Sequence, residues 1–73
     1  MQRYYFSMHL TVEQCQGYYR GDIRYVVVMA DSGQRVQLLF RHFQPFISSI
    51  GIRGRFRLTT QENGSFVSLE KIN

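Results

Sequence analysis

Arg53, Arg55 and Arg57 stand at every second position of Gly51–Leu58, with Ile52, Phe56 and Leu58 at the alternate positions. In an extended chain successive side chains point to opposite faces. The spacing therefore predicts a strand with an apolar face for the core and a guanidinium face for water. Three guanidinium groups about 6.6 Å apart make a short electropositive rail. The planar fork of arginine suits phosphates and carboxylates, so the chemistry expected of the rail is recognition of a phosphate backbone or of an acidic protein. The other reactive residue types build nothing comparable. His9 and His42 are isolated, and neither has a spacing to Cys15, Asp22 or Asp31 that makes a recognisable catalytic or metal-binding set. Ser48 and Ser49 lack a nucleophile elbow, and no phosphate-cradling glycine loop opens a helix. No catalytic, cofactor-binding or metal-ligating residue is assigned, and the chain is expected to act by binding and not by catalysis.

Composition narrows the setting. The 73 residues carry a formal net charge of +4, from eight arginines and Lys71 against five acidic residues. Basicity made of arginine leans toward a binding surface rather than toward solubility alone. A hydrophobic share of 44% with 19% charged residues is that of a folded domain, not a disordered tail. The length suits one domain, residues 1–73, near the size where folding buries only about 60% of the unfolded surface. Dimerisation would help such a chain. A lone cysteine, Cys15, cannot form an internal disulfide, and Arg3, Ser7 and His9 interrupt any signal-peptide core, so a cytoplasmic location is expected. The run Val26–Ala30 is far below the ~20 residues needed to cross a bilayer, so no membrane partner is expected.

The elements that must position the arginines follow from periodicity and turn chemistry. Tyr4, Phe6, Met8 and Leu10 alternate with Arg3, Tyr5, Ser7 and His9, which predicts a half-buried first strand. Thr11 with Gln14 fits a capping box, and a short helix is expected to run to about Tyr19 or Arg20 and stop at Gly21. Residues 23–30 and 34–40 read as a hairpin through Asp31-Ser32-Gly33, with Val28 opposite Val36 and Val26 opposite Leu38. That register leaves Tyr25, Val27, Met29 and Leu39 on the reverse face, which is apolar as well and must be covered. The expected cover is a second, distorted helix within residues 41–50, with Phe43, Phe46, Ile47 and Ile50 at helical spacing, Pro45 limiting its first turn and Gly51 ending it. Asn63-Gly64 predicts a final type I′ hairpin that pairs Leu58 with Leu69, Thr60 with Val67 and Arg57 with Glu70. The fold class expected is α+β, in the order β-α-β-β-α-β-β, with about five antiparallel strands in one strongly curved, barrel-like sheet.

Two binding readings compete within this frame. Nucleic acid would bind through Arg53, Arg55 and Arg57, joined by Arg24 and Arg35, with Tyr5, Tyr18, Tyr19 or Phe66 available to stack on bases. Glu70 can neutralise Arg57 across the strands, whereas Arg53 and Arg55 have no evident partner within the last hairpin. Gly51-Ile52-Arg53-Gly54 also matches the bare G-x-x-G of an RNA-binding loop, but a strand follows it where that loop needs a helix. The glycines instead predict a helix cap at Gly51 and a close approach or bulge at Gly54. The alternative is protein interaction or homodimerisation through Tyr25, Val27, Met29 and Leu39.

The chain resembles domain of unknown function family 2835, small gammaproteobacterial proteins. The resemblance rests on Tyr4-Tyr5-Phe6, Gly17-Tyr18-Tyr19-Arg20-Gly21, Asp31-Ser32-Gly33 with Arg35-Val36, Pro45-Phe46, Gly51-Ile52-Arg53-Gly54-Arg55-Phe56 and Leu69-Glu70, and so covers almost the whole chain. It implies a bacterial, intracellular protein with no established activity, and it supplies no catalytic or binding residue.

Overall fold

A computed structural model describes residues 1–21 and 23–73. The chain runs β1 (Gln2–Leu10), α1 (Val12–Tyr19), β2 (Tyr25–Met29), β3 (Arg35–Leu39), a 3₁₀ helix (Phe40–Phe46), β4 (Ile52–Thr60) and β5 (Phe66–Lys71). The mixed α and β content, the two helical segments and the antiparallel strands agree with the sequence. The strands, however, pair as two sheets, β1-β4-β5 and β2-β3, where one sheet was expected, and no ladder closes them into a barrel among the described residues. Among the described residues one main-chain bond, Asp31 N–H to the Tyr5 carbonyl (2.7 Å), ties the open edge of β1 to the end of the hairpin.

Alternation decides what lies between the sheets. Phe6 of β1, Ile52, Phe56 and Leu58 of β4, and Val26, Val28 and Leu38 of the hairpin are buried. Phe6 stacks on Phe56 (ring centroids 5.7 Å apart), and Phe43 from the 3₁₀ helix meets both rings edge-on. Helix α1 has the capping box expected of it. Gln14 N–H donates to Thr11 Oγ1 (3.2 Å), and Thr11 N–H donates to Gln14 Oε1 (2.8 Å). The helix adds buried Cys15, whose thiol pKa burial pushes up, and stacks Tyr18 on Phe40 (4.4 Å).

Three local expectations need correction. The second helix is a 3₁₀ turn that stops at Phe46, and Ile47 is already extended. Pro45 has no N–H to donate and its ring would clash with the Arg41 carbonyl, so an α-helix begun at Arg41 cannot pass through it unbroken, and the segment takes the 3₁₀ form instead. Gly51 accordingly caps no helix. It closes a turn with Ser48 (Gly51 N–H to Ser48 carbonyl, 3.0 Å). The last hairpin is not type I′, which needs positive φ at both central residues, since Asn63 does not have positive φ. Gly64 N–H donates to the Gln61 carbonyl (2.9 Å) and Gln61 N–H to the Ser65 carbonyl (2.8 Å), a longer loop with Gly64 in the bulge position. Leu58–Leu69 and Arg57–Glu70 keep their expected pairing, but the register shifts between Thr59 and Thr60, so Thr60 meets Phe66 and not Val67.

Candidate nucleic-acid interface

The outer face of the β1-β4-β5 sheet is built by register. His9 lies opposite Arg53, Ser7 opposite Arg55, Tyr5 opposite Arg57 and Arg3 opposite Thr59. Because Phe6, Ile52, Phe56 and Leu58 turn inward, His9, Ser7, Tyr5, Arg3 and the three arginines of β4 turn to the outer face, as alternation requires, while Thr59 beside Arg3 is buried. Arg53, Arg55 and Arg57 thus share one face. Arg35 begins β3 of the other sheet and Arg24 precedes β2, so the structure does not add this pair to the rail. Arg3 and His9 join it instead, at either end, six residue steps or about 20 Å apart along β1.

The middle of the rail is neutralised. Arg55 Nη1 donates to Asp31 Oδ1 (3.0 Å) and Ser7 Oγ (3.1 Å), while its Nη2 donates to Asp31 Oδ2. Arg57 Nε and Nη2 donate to Glu70 Oε1 (3.2 and 2.9 Å). The hydrogen bond from Arg55 holds the Asp31 carboxyl below its ordinary range and raises Arg55 in turn. Hydrogen bonds to Glu70 and then Tyr5 raise Arg57. Glu70 was legible as a cross-strand neighbour. Asp31 was not, because it sits on the turn of the β2-β3 hairpin and reaches Arg55 only once the two sheets meet. Both pairs stay open to water, so solvent screens them and another anion can compete for the arginines. Arg53 has no ion pair among the described residues. It lines, with Ser7, His9, Ser48, Lys71 and Arg55, an open groove of about 870 Å³ at the end of the sheet.

Most of the aromatic side chains proposed for base stacking already have partners. Tyr18 lies flat on Phe40, Tyr19 meets Phe40 edge-on, and Phe66 stacks on His42 with ring centroids 3.7 Å apart. Burial, then Arg41, lowers the pKa of His42, which suits that stacking. Tyr5 is the one of the four that stands among the arginines, exposed at the centre of the face.

The hairpin's reverse face is uncovered. Tyr25, Val27 and Met29 are 52%, 59% and 55% exposed, and Leu39 is half-buried opposite Tyr25. The expected cover by residues 41–50 fails because Phe43 of the 3₁₀ helix goes into the inner core.

Among the described residues no group of three or more His, Cys, Asp or Glu is placed to hold a metal, and Asp22 lies outside them. No described helix is long and apolar enough to cross a membrane. A family model described as "Protein of unknown function (DUF2835)" matches residues 2–72. No curated protein matches the chain, and no solved structure does.

Proposed function

Since the chain belongs to the DUF2835 family, whose description assigns no activity, we propose from geometry that it is a cytoplasmic binding module taking a nucleic-acid strand across the outer face of β1-β4-β5. The supporting observation is that Arg3, Arg53, Arg55, Arg57 and His9 share one solvent face whose only described carboxylates are Asp31 and Glu70. Phosphates along a strand would engage the Arg53 end and the Arg3 end directly, and compete with the carboxylates for Arg55 and Arg57. Tyr5 between them offers a ring for one base. The two sheets are read as halves of an opened barrel, held at one seam by the bond between Tyr5 and Asp31.

Fluorescence anisotropy with a short single-stranded oligonucleotide at two salt concentrations tests this. Affinity is expected to fall with salt at a slope equivalent to roughly two to four released counterions. Arg53→Ala with Arg3→Ala should flatten that slope. Glu70→Gln and, separately, Asp31→Asn should tighten binding, because each frees a guanidinium; a merely structural role for the pairs predicts the opposite. Flat curves at both salts end the reading.

A second reading, protein interaction or homodimerisation through Tyr25, Val27, Met29 and Leu39, is favoured by the exposure of three successive outward apolar side chains. For a homodimer, sedimentation should give a mass that rises with concentration, and Val27→Asp should abolish the rise. A constant monomer mass removes the homodimer.

A further inference from the structure

We propose that the outer face of the β2-β3 hairpin docks an acidic amphipathic helix of another protein. This names the occupant for the protein-interaction reading of that face and rests on it. The apolar row Met29, Val27, Tyr25 extends four residue steps, about 13 Å, which is the length of roughly nine residues of α-helix. It does not end at Tyr25. Leu39, opposite Tyr25, also lines a groove of about 350 Å³ with Ile23, Tyr18 and Phe40, and Ile23 is 48% exposed. Strip and groove together give a helix an apolar track along β2, with Gln37 beside Val27 on β3, the layering by which sheet faces are commonly covered.

Charge selects the kind of helix. Arg35 lies opposite Met29, on the same face, at one end of the track. Arg24 and Arg41 line the groove at the other end. Neither Arg35 nor Arg41 has a carboxylate partner among the described residues. A partner that carries carboxylates beside its apolar stripe would meet a guanidinium at each end, whereas a basic helix would be repelled at both.

Charge favours another protein over a second copy. Of the described carboxylates, Asp31 is engaged by Arg55, Glu70 by Arg57 and Glu62 by the N-terminal amine. That leaves Glu13 to face the three arginines of the other copy, and a two-fold contact would bring like charges together. A nucleic acid is also disfavoured here, because between the terminal arginines its phosphates would lie over Tyr25, Val27 and Met29, which offer no cation.

The probe is a fluorescein-labelled synthetic helical peptide with Leu at i, i+4 and i+7 flanked by Glu, compared with its Gln-for-Glu and Lys-for-Glu analogues. Anisotropy with the full chain should show binding of the Glu peptide, roughly tenfold weaker binding of the Gln peptide and none of the Lys peptide. Arg35→Ala combined with Arg41→Ala should cost the Glu peptide roughly tenfold, and Val27→Asp should abolish its binding; all three sites are on the surface. Amide shifts in a ¹⁵N spectrum should map to residues 25–29 and 35–39. Equal binding of the Glu and Gln peptides overturns the acidic partner and leaves the wider protein-interaction reading intact. Shifts confined to β1 and β4, or an oligonucleotide that displaces the Glu peptide from the hairpin, overturn the site. If no peptide binds, the proposal falls, and sedimentation of the chain with and without Val27→Asp then tests self-association through that face separately.

Discussion

Phe56→Ala should remove about 4–5 kcal/mol of stability, the upper part of the range for deleting a buried aromatic ring. Phe56 is fully buried, and its ring is the hub of the core: it stacks on Phe6 at 5.7 Å and receives Phe43 and Phe46 edge-on at 5.6 and 5.3 Å. Truncation forfeits the transfer of the ring, the three aromatic contacts and the dispersion lost around an unfilled cavity. The site cannot collapse easily, because Phe56 is fixed in the centre of β4, paired with β1 on one side and β5 on the other. A chain of this length has a total stability of about 4–11 kcal/mol, so the substitution removes from roughly a third to all of it. Urea unfolding checks it, with Phe66→Ala as the control: Phe66 is 41% exposed and should cost much less. A Phe56→Ala midpoint no lower than that of Phe66→Ala would mean that the core is organised around something else.

The position of Phe56 was readable from the sequence because it is local. Period-two alternation in β1 and β4 names the inward residues without any knowledge of which strands are neighbours, and the structure buries Phe6, Ile52, Phe56 and Leu58 as that period demands. The turn Asp31-Ser32-Gly33 fixed the β2-β3 register for the same reason, with Gly33 at φ 91° and Val28 opposite Val36. What failed was information that is not local. Asn63-Gly64 fits two hairpin geometries, and the chain takes the one that leaves Asn63 at negative φ and absorbs the extra residue as a register shift near Thr60. Helical spacing of Phe43, Phe46, Ile47 and Ile50 did not carry an α-helix through Pro45, and beyond Phe46 the chain turns through Ser48 and Gly51 instead.

The functional face divided in the same way. That Arg53, Arg55 and Arg57 share a surface follows from parity, and Glu70 beside Arg57 follows from hairpin counting. Arg3 and His9 became part of the face only through the pairing of β1 with β4, a contact between opposite ends of the chain. Asp31 is the sharper case. Nothing in residues 50–60 announces a carboxylate at Arg55; the pair exists because one hairpin's turn meets the edge of the other sheet, where Asp31 N–H also holds the Tyr5 carbonyl. A strand face can therefore look like an uninterrupted electropositive rail in sequence and be interrupted at its centre in three dimensions. The hairpin's reverse face shows the converse: its apolar residues were legible, and the absence of cover was not.

Gly51→Ala should be about as damaging as the loss of the Phe56 ring, although Gly51 contributes no side chain. Its φ of 97° already strains any L-residue, at a cost of roughly 1–2 kcal/mol. A Cβ placed there would also lie 2.0 Å from the Leu10 carbonyl oxygen and 2.9 Å from the Thr11 carbonyl carbon. Those are main-chain atoms that cannot swing aside. Leu10 is the last residue of β1, paired with Ile52, and Thr11 is the N-cap whose hydroxyl and N–H both hold α1. Relief must come by separating β4 from β1 or by uncapping the helix, and the sum of strain and overpacking reaches roughly 2–5 kcal/mol. Gly33→Ala and Gly64→Ala isolate the backbone term, because both positions have positive φ but open space around them; each should lose only the 1–2 kcal/mol or so of left-handed strain. Denaturant midpoints for the three variants test the argument, and Gly51→Ala proving no worse than Gly33→Ala would refute it. The consequence reaches the binding face as well. Gly51 sets where β4 starts against β1, and a shift of one residue would turn Arg53, Arg55 and Arg57 into the core and Ile52, Phe56 and Leu58 into water. A Gly51→Ala protein that still folds should therefore have lost the salt-dependent binding of oligonucleotide in proportion to its lost β1–β4 pairing, measurable as faster amide exchange along residues 52–58.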